Sequence, residues 1–254
     1  MQNSKQKPLA ILHDLISSAK IVDLSPMIEN DMPRFPTHPP VVISKTVTHA
    51  HDGYYCQTIF MPEHAGAHVD SPYHIHDDMS DRTIEKFPAD FLLGLCKVIH
   101  LEKRDWKPGE YASAKDILAW EEESGEKIED NDIVIVNFGW LKKYWSTGKD
   151  WKWYSMNQPG LSEDASEFLL SRKIKAIGSD TVACGTALKD GLPNPDAPPP
   201  NSCWIHNNLL SKEILIMECL ANLEIVPDAC FFMALPLKIR SGSGSPLRPV
   251  AVVI

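Results

Sequence analysis

The chain has 254 residues, 43% of them hydrophobic and 23% charged, a balance that predicts a single globular domain over residues 1–254. Its formal net charge of −9, with no basic run, excludes a nucleic-acid partner, because phosphate binding needs clustered Lys and Arg. The apolar stretch near the N-terminus is broken by His13 and Asp14, so neither a signal peptide nor a membrane span is expected.

In chain order, Leu9–Ala19 carries apolar residues at helical spacing (Leu9, Leu12, Ile16) and predicts a short helix. Ile21–Leu24 reads as a strand. Val41–Thr48 and Tyr54–Met61 are rich in β-branched and aromatic residues and flank Asp52-Gly53, which predicts two strands around a turn. Phe91–Leu101 is a further strand. Ser113–Ser124 predicts a helix with Ser113 at its start, Asp116 in its first turn and Gly125 at its stop. Asp132–Phe138 predicts a buried strand, Ser162–Arg172 a helix and Ile174–Gly178 a strand. Ile214–Leu220, Phe231–Ile239 and Val250–Ile254 complete the β elements. Strands occur both as hairpins and in αβ succession, so the expected class is α/β or mixed α+β with a mixed β-sheet.

The 20 prolines concentrate in Met32–Pro40 and Leu192–Pro200. Proline fixes φ and removes a donor, so both read as ordered loops, the second as a candidate lid. The six cysteines are scattered with no C-x-x-C pair. Several sit in apolar stretches and read as buried small hydrophobes, a reducing, cytoplasmic setting is expected, and none is expected to sit where its thiolate would be activated.

The informative segment is Glu63–Asp78, where four of the ten histidines fall within thirteen residues. Imidazole and carboxylate are common ligands for Zn²⁺ and Mn²⁺. His64, His68, Asp70 and His74 share one parity, yet fully extended chain would hold His64 and His68 about 13 Å apart, too far for one ion. A helix would join His64 and His68 but carry Asp70 off that face, and Pro72 opposes it. The remaining solution is a bend at Gly66 that folds His64 back over His68 and Asp70, giving a tight metal loop leading away from a strand. A histidine-rich surface loop is the plain alternative. Three potential ligands around a glycine, followed by Pro72 and His74, make it the poorer account.

The pattern H-x-G-x-H-x-D-x-P-x-H, carried by His64, Gly66, His68, Asp70, Pro72 and His74, resembles the signature of the metal-dependent cyclase family, which includes bacterial kynurenine formamidases and isatin hydrolases. Ala67 stands where the family usually has Thr, which removes a hydroxyl that would brace the loop. His206 and Glu218, twelve positions apart, are similar to the family's second ligand region. Gly160–Ser162, Gly178–Thr181 and Gly242–Pro249 extend the likeness from about Ile21 to the end of the sequence.

The resemblance implies one domain of the swivelling β/β/α type, with a mixed sheet or barrel-like core flanked by helices. It implies metal ligands at His64, His68, Asp70, His206 and Glu218, with Asp70 able to bridge two cations, and a divalent metal, Zn²⁺ or Mn²⁺, as one or two ions per chain. Alone, His206 would read as a helix-surface histidine. Glu218 could be a solvent-facing strand carboxylate, but its neighbours Ile216, Met217 and Leu220 make that uncomfortable. His74 resembles the family's proton-transfer residue, consistent with a metal that lowers the pKa of water toward ~7 beside an imidazole able to take the proton. His76 is expected to be structural. A homodimer or higher homo-oligomer is also implied.

The expected activity is hydrolysis of the C–N bond of a small, aromatic formamide, amide or lactam, tilted toward ring opening by the Trp- and Tyr-rich Tyr144–Pro159 segment. The alternatives are a lactone or ester hydrolase, a non-catalytic metal-binding protein and a cysteine hydrolase. Trp140, at the end of the buried strand, is the candidate substrate-binding residue. Gly242–Ser245 lacks the Lys of a P-loop and reads as a structural loop with modest contact to the site.

Overall fold

The structure, a computed structural model, describes residues 3–145, 151–193 and 203–254. The greater part of the expected proline-rich lid at Leu192–Pro200, and part of the Tyr144–Pro159 segment, lie outside these residues.

Helix α1 (Asn3–Ser18) leads into β1 (Lys20–Asp23). Strands β2 (Val42–Val47) and β3 (Cys56–Phe60) form the expected antiparallel hairpin, although the predicted turn is a short helix, His49–Asp52, closed by Gly53 at φ +78°. Next come β4 (His68–Asp70), β5 (Leu93–His100), α2 (Ala114–Ser124) and β6 (Ile133–Asn137). The remaining principal elements are α3 (Glu163–Arg172), β7 (Ala176–Ser179), α4 (Trp204–Leu210), β8 (Leu215–Glu218), β9 (Ala229–Met233), β10 (Gly244–Pro246) and β11 (Val250–Val253).

Nine strands make one mixed sheet in the order β1-β11-β9-β5-β6-β7-β8-β4-β10. The middle four, β5 to β8, are parallel, and the strands on either side pair antiparallel. This is the mixed α+β class expected from the sequence.

The parallel centre explains its own sequence. Parallel strands joined by helices are covered on both faces and so read as continuous apolar runs. In β6, Val134 and Val136 face one layer with Ile117, Trp120, Leu169 and Leu209 from the three helices. Ile133 and Ile135 face the other, with Leu24, Met217 and Phe232. The helix signals also act as read: the Asp116 carboxylate accepts the Ser113 N–H at 2.7 Å and its hydroxyl at 2.8 Å, and Gly125 ends α2 at φ +75°. One boundary moves, since the strand expected over Phe231–Ile239 stops at Met233, before Pro236.

Candidate metal centre

The centre assembles where β4 lies between β8 and β10. Gly66 takes φ +62°, the left-handed conformation that favours glycine, and the chain turns there from His64 into β4. The bend places His64 Nδ1 2.6 Å from Asp70 Oδ1, as its sequence position predicted. The loop leads into a strand, however, rather than away from one. His68 and Asp70, two apart in β4, share a face because strand side chains alternate. Ala67 is buried among apolar side chains.

Strand register supplies the second ligand region. Glu218 in β8 pairs directly with His68, and Ile216 with Asp70. The His68 Nε2 then lies 3.3 Å from Glu218 Oε2 and 3.5 Å from Asp70 Oδ1. His206, in the α4 helix that precedes β8, points Nε2 at Asp70 Oδ2 (3.3 Å) and at Glu218 Oε1 (3.1 Å). Thus all five residues expected to hold metal converge, and His206 is buried rather than on a helix surface. His74 follows Pro72 in a single 3₁₀ turn and brings its ring centroid 4.0 Å from that of His64. His76 Nε2–H donates to the Asn207 carbonyl at 3.1 Å and stays outside the cluster, a structural role.

Each imidazole is aimed by its second nitrogen. The Gly66 carbonyl accepts from His68 Nδ1–H at 2.8 Å, which leaves Nε2 free to face the carboxylates. The Ser243 hydroxyl donates to Glu63 at 2.7 Å and so accepts from His64 Nε2–H at 2.8 Å, which leaves Nδ1 to face Asp70. Gly244, paired with Asp70 across β10, admits the His64 ring: a Cβ there would meet His64 Cε1 at 2.5 Å. The Gly242–Ser245 run therefore braces His64 more closely than its sequence suggested. Glu63 and Ser243 were not singled out from sequence; a serine between glycines is the signal that could have marked the brace.

Electrostatics agree with a cation-binding cluster. Burial works to raise the Asp70 carboxyl, yet His74 and His64 beside it hold it well below the ordinary range. Burial works to lower His68, but Glu218 and Asp70 outweigh it and lift the imidazole to about 8. Burial dominates at His74 and pushes it down to about 4. Asp70 Oδ2 is fully buried and makes no hydrogen bond. A buried, orphaned carboxylate oxygen facing imidazole nitrogens is what a bound cation would satisfy. Ligand atoms of His64, Asp70 and His74, and of His68, Asp70 and Glu218, form two groups each within 4.8 Å, sharing Asp70. The residues fit a divalent metal.

Above this floor opens a cavity of about 350 Å³, walled by Phe35, Ile75, Val182 and Leu188. His38, from the first proline cluster, lies between Phe35 and His64, 5.6 Å and 5.7 Å from them by ring centroids. Nothing in the sequence distinguished Phe35 or His38. Trp140 is a correction. It is 2% exposed, its indole N–H donates to the Tyr154 carbonyl at 2.9 Å, and it packs in the helix-side core without lining the cavity. Cys203 does line the cavity, with its Sγ 2.7 Å from His206 Nδ1, a place that its sequence context did not mark.

The Cyclase family model matches residues 22–185. An isatin hydrolase from Roseibium aggregatum is 30% identical over 226 residues, covering 85% of this chain and 82% of that protein. Among solved structures, an isatin hydrolase bound to the product analogue thioisatinate superposes with a TM-score of 0.83 at 27% identity, over 98% of both chains. Isatin hydrolase A from Labrenzia aggregata, bound to benzyl benzoate, gives 0.82 at 26% identity, over 98% of this chain and 99% of that one. The chain belongs to the Cyclase family.

Proposed function

We propose that this Cyclase-family chain is a metal-dependent hydrolase that cleaves the C–N bond of a small aromatic substrate, with a lactam of the isatin kind favoured over an open-chain formamide. The observation that carries the reading is a floor of imidazoles and carboxylates, with His74 beside His64, beneath an apolar-walled cavity of about 350 Å³. That volume suits a small bicyclic molecule. The likeness to isatin hydrolases across nearly the whole chain supports the lactam.

His64, His68, Asp70, His206 and Glu218 are the proposed ligands, and their N and O donors suit Zn²⁺ or Mn²⁺. Asp70 presents Oδ1 to His64 and Oδ2 to His206, so it can span two ions, and one or two per chain are accommodated. The metal, when bound, acts as a Lewis acid that polarises a carbonyl and acidifies water. His74 does the proton work. Burial keeps it neutral near pH 7, ready to accept a proton from water and pass it to the leaving nitrogen. Phe35 and the aliphatic walls exclude water and hold a planar ring.

A lactone could be opened by the same groups. A cysteine nucleophile at Cys184 is disfavoured, since burial pushes that thiol up to about 12. All six cysteines are free, which suits a reducing compartment such as the cytoplasm. No helix among the described residues is long and apolar enough to cross a membrane. A homodimer or higher homo-oligomer suits the apolar residues that the β2–β3 hairpin leaves exposed.

The test is metal content per chain, followed by turnover of isatin, N-formylkynurenine and a simple lactone by metal-loaded and chelated protein. Chelator-sensitive opening of isatin is expected. Stoichiometric metal with turnover of only N-formylkynurenine or the lactone would move the substrate, and no metal after Zn²⁺ or Mn²⁺ reconstitution would sink the reading.

A further inference from the structure

His206 differs from the other two histidine ligands in what stands behind it. Its Nε2 faces Asp70 and Glu218, so a cation there requires the lone pair on Nε2 and the proton on Nδ1. For His68 the partner of that outer N–H is a carbonyl and for His64 a hydroxyl. For His206 it is sulfur: Cys203 Sγ lies 2.7 Å from Nδ1. The Thr186 hydroxyl donates to the same sulfur at 2.6 Å. Two donors therefore converge on Cys203, and its sulfur serves as their common acceptor.

Local structure keeps it there. Cys203 stands at the start of α4, three residues before His206, so the two share a helix face. The Cys203 carbonyl accepts the Asn207 N–H at 3.0 Å, which fixes its backbone to the first turn. Thr186 comes from the segment after β7 and closes on the sulfur from another part of the chain.

We propose that Cys203 is a positioning residue of the metal centre: its sulfur, held in place by Thr186, locks His206 with Nε2 toward Asp70 and Glu218. This rests on reading the cluster as a metal site. Outer partners of metal-bound histidines fix tautomer and ring angle, and their removal costs roughly 10- to 100-fold in metal affinity. A sulfur acceptor also makes the centre vulnerable to thiol reagents. Cys203 and Thr186 both line the cavity, so a reagent that reaches the substrate site reaches the brace.

The experiment is Co²⁺ titration of the full-length protein, followed by visible absorption and calorimetry, for wild type, Cys203→Ala, Cys203→Ser and Thr186→Val. Cys203→Ala is expected to weaken Co²⁺ binding roughly 10- to 100-fold. Cys203→Ser, whose hydroxyl also accepts, should recover most of that loss, and Thr186→Val should fall between. The metal-free melting temperatures should stay together, which a purely structural role would not give.

Unchanged affinity in Cys203→Ala beside a wild type that binds Co²⁺ would overturn the inference alone. An intense sulfur-to-cobalt charge-transfer band that vanishes in Cys203→Ala would overturn it by making the sulfur a ligand itself. Turnover that survives chelation and is abolished by alkylation would make Cys203 a nucleophile instead. A wild type that binds no Co²⁺ would remove the metal reading and this inference with it.

Discussion

Strand β4 and the β2–β3 hairpin are opposite solutions to placing a strand. β4 has three residues, all buried, and is paired on both sides, to β8 and β10. Its Asp70 is a poor strand former held by tertiary pairing. The hairpin is rich in Val, Ile, Thr and Phe, yet among the described residues β2 and β3 pair only with each other. Ile59 and Phe60 are 54% and 60% exposed. Intrinsic strand preference thus made an element that packs little, while register and burial made the one that carries the candidate site.

The contrast can be broken first at the Asp70 carboxylate. Asp70→Asn removes the charge that faces His64, His68 and His206, and turnover is expected to fall more than about 10³-fold with loss of bound metal, measured by steady-state kinetics and elemental analysis. Near-normal turnover would show that β4 is not where the chemistry sits. His74→Ala should retain metal stoichiometry while kcat drops about 10²- to 10⁴-fold. Full turnover with bound metal would remove its proton-transfer role.

Backbone room around the site sharpens the same comparison. At Gly244 an added Cβ would lie 2.5 Å from His64 Cε1 and 2.6 Å from the Val69 carbonyl. Gly244→Ala should therefore cost about 2–3 kcal/mol in urea unfolding and weaken metal binding as His64 is displaced. Gly53 in the hairpin turn has open space around it, so any cost of Gly53→Ala comes from its φ of +78° alone.

A pH experiment on metal-free protein follows. Burial depresses His74 to about 4, so its neutral form stabilises the fold above the unfolded value near 6.5 and that contribution is lost as pH falls toward 4. Relative to His74→Gln, wild type should lose about 2 kcal/mol over that window, the full shift being discounted for partial exposure. Parallel curves would mean that His74 is not desolvated. The smallest effect belongs to the hairpin: Ile59→Lys should move the intrinsic stability of the chain by less than about 0.5 kcal/mol in chemical denaturation. A larger loss at every protein concentration would show that the hairpin packs against the body of its own chain.

Much of the fold was legible because its signals are local. The α2 helix announced its start through Ser113 and Asp116 and its end through Gly125, and β6 announced double-sided burial through an unbroken apolar run. The candidate ligands His64, His68 and Asp70 were legible as chemistry and spacing, down to the bend at Gly66, while His206 and Glu218 came through the family resemblance alone. What escaped depends on pairing across long sequence separations. No periodicity reveals that Glu218 lies opposite His68, or that Ser243 stands behind His64. Trp140 misled for a physical reason: a buried indole with its N–H satisfied by a backbone carbonyl belongs to the core, and strand-end position alone does not distinguish the two fates. Cys203 escaped because its meaning comes from the His206 nitrogen it meets.

The strand that flanks β4 on its outer side also has a consequence for biosynthesis. The candidate ligands lie at His64 to Asp70 and at His206 to Glu218, but Ser243 and Gly244 come only just before and at the start of β10. A nascent chain that has reached Leu235 already carries every proposed ligand, while His64 still lacks its brace and β4 one of its two neighbours. Domains fold as units as they are synthesised. A chain that ends before β10 would therefore carry the candidate ligand residues without the Ser243 hydrogen bond to His64 or the outer neighbour of β4.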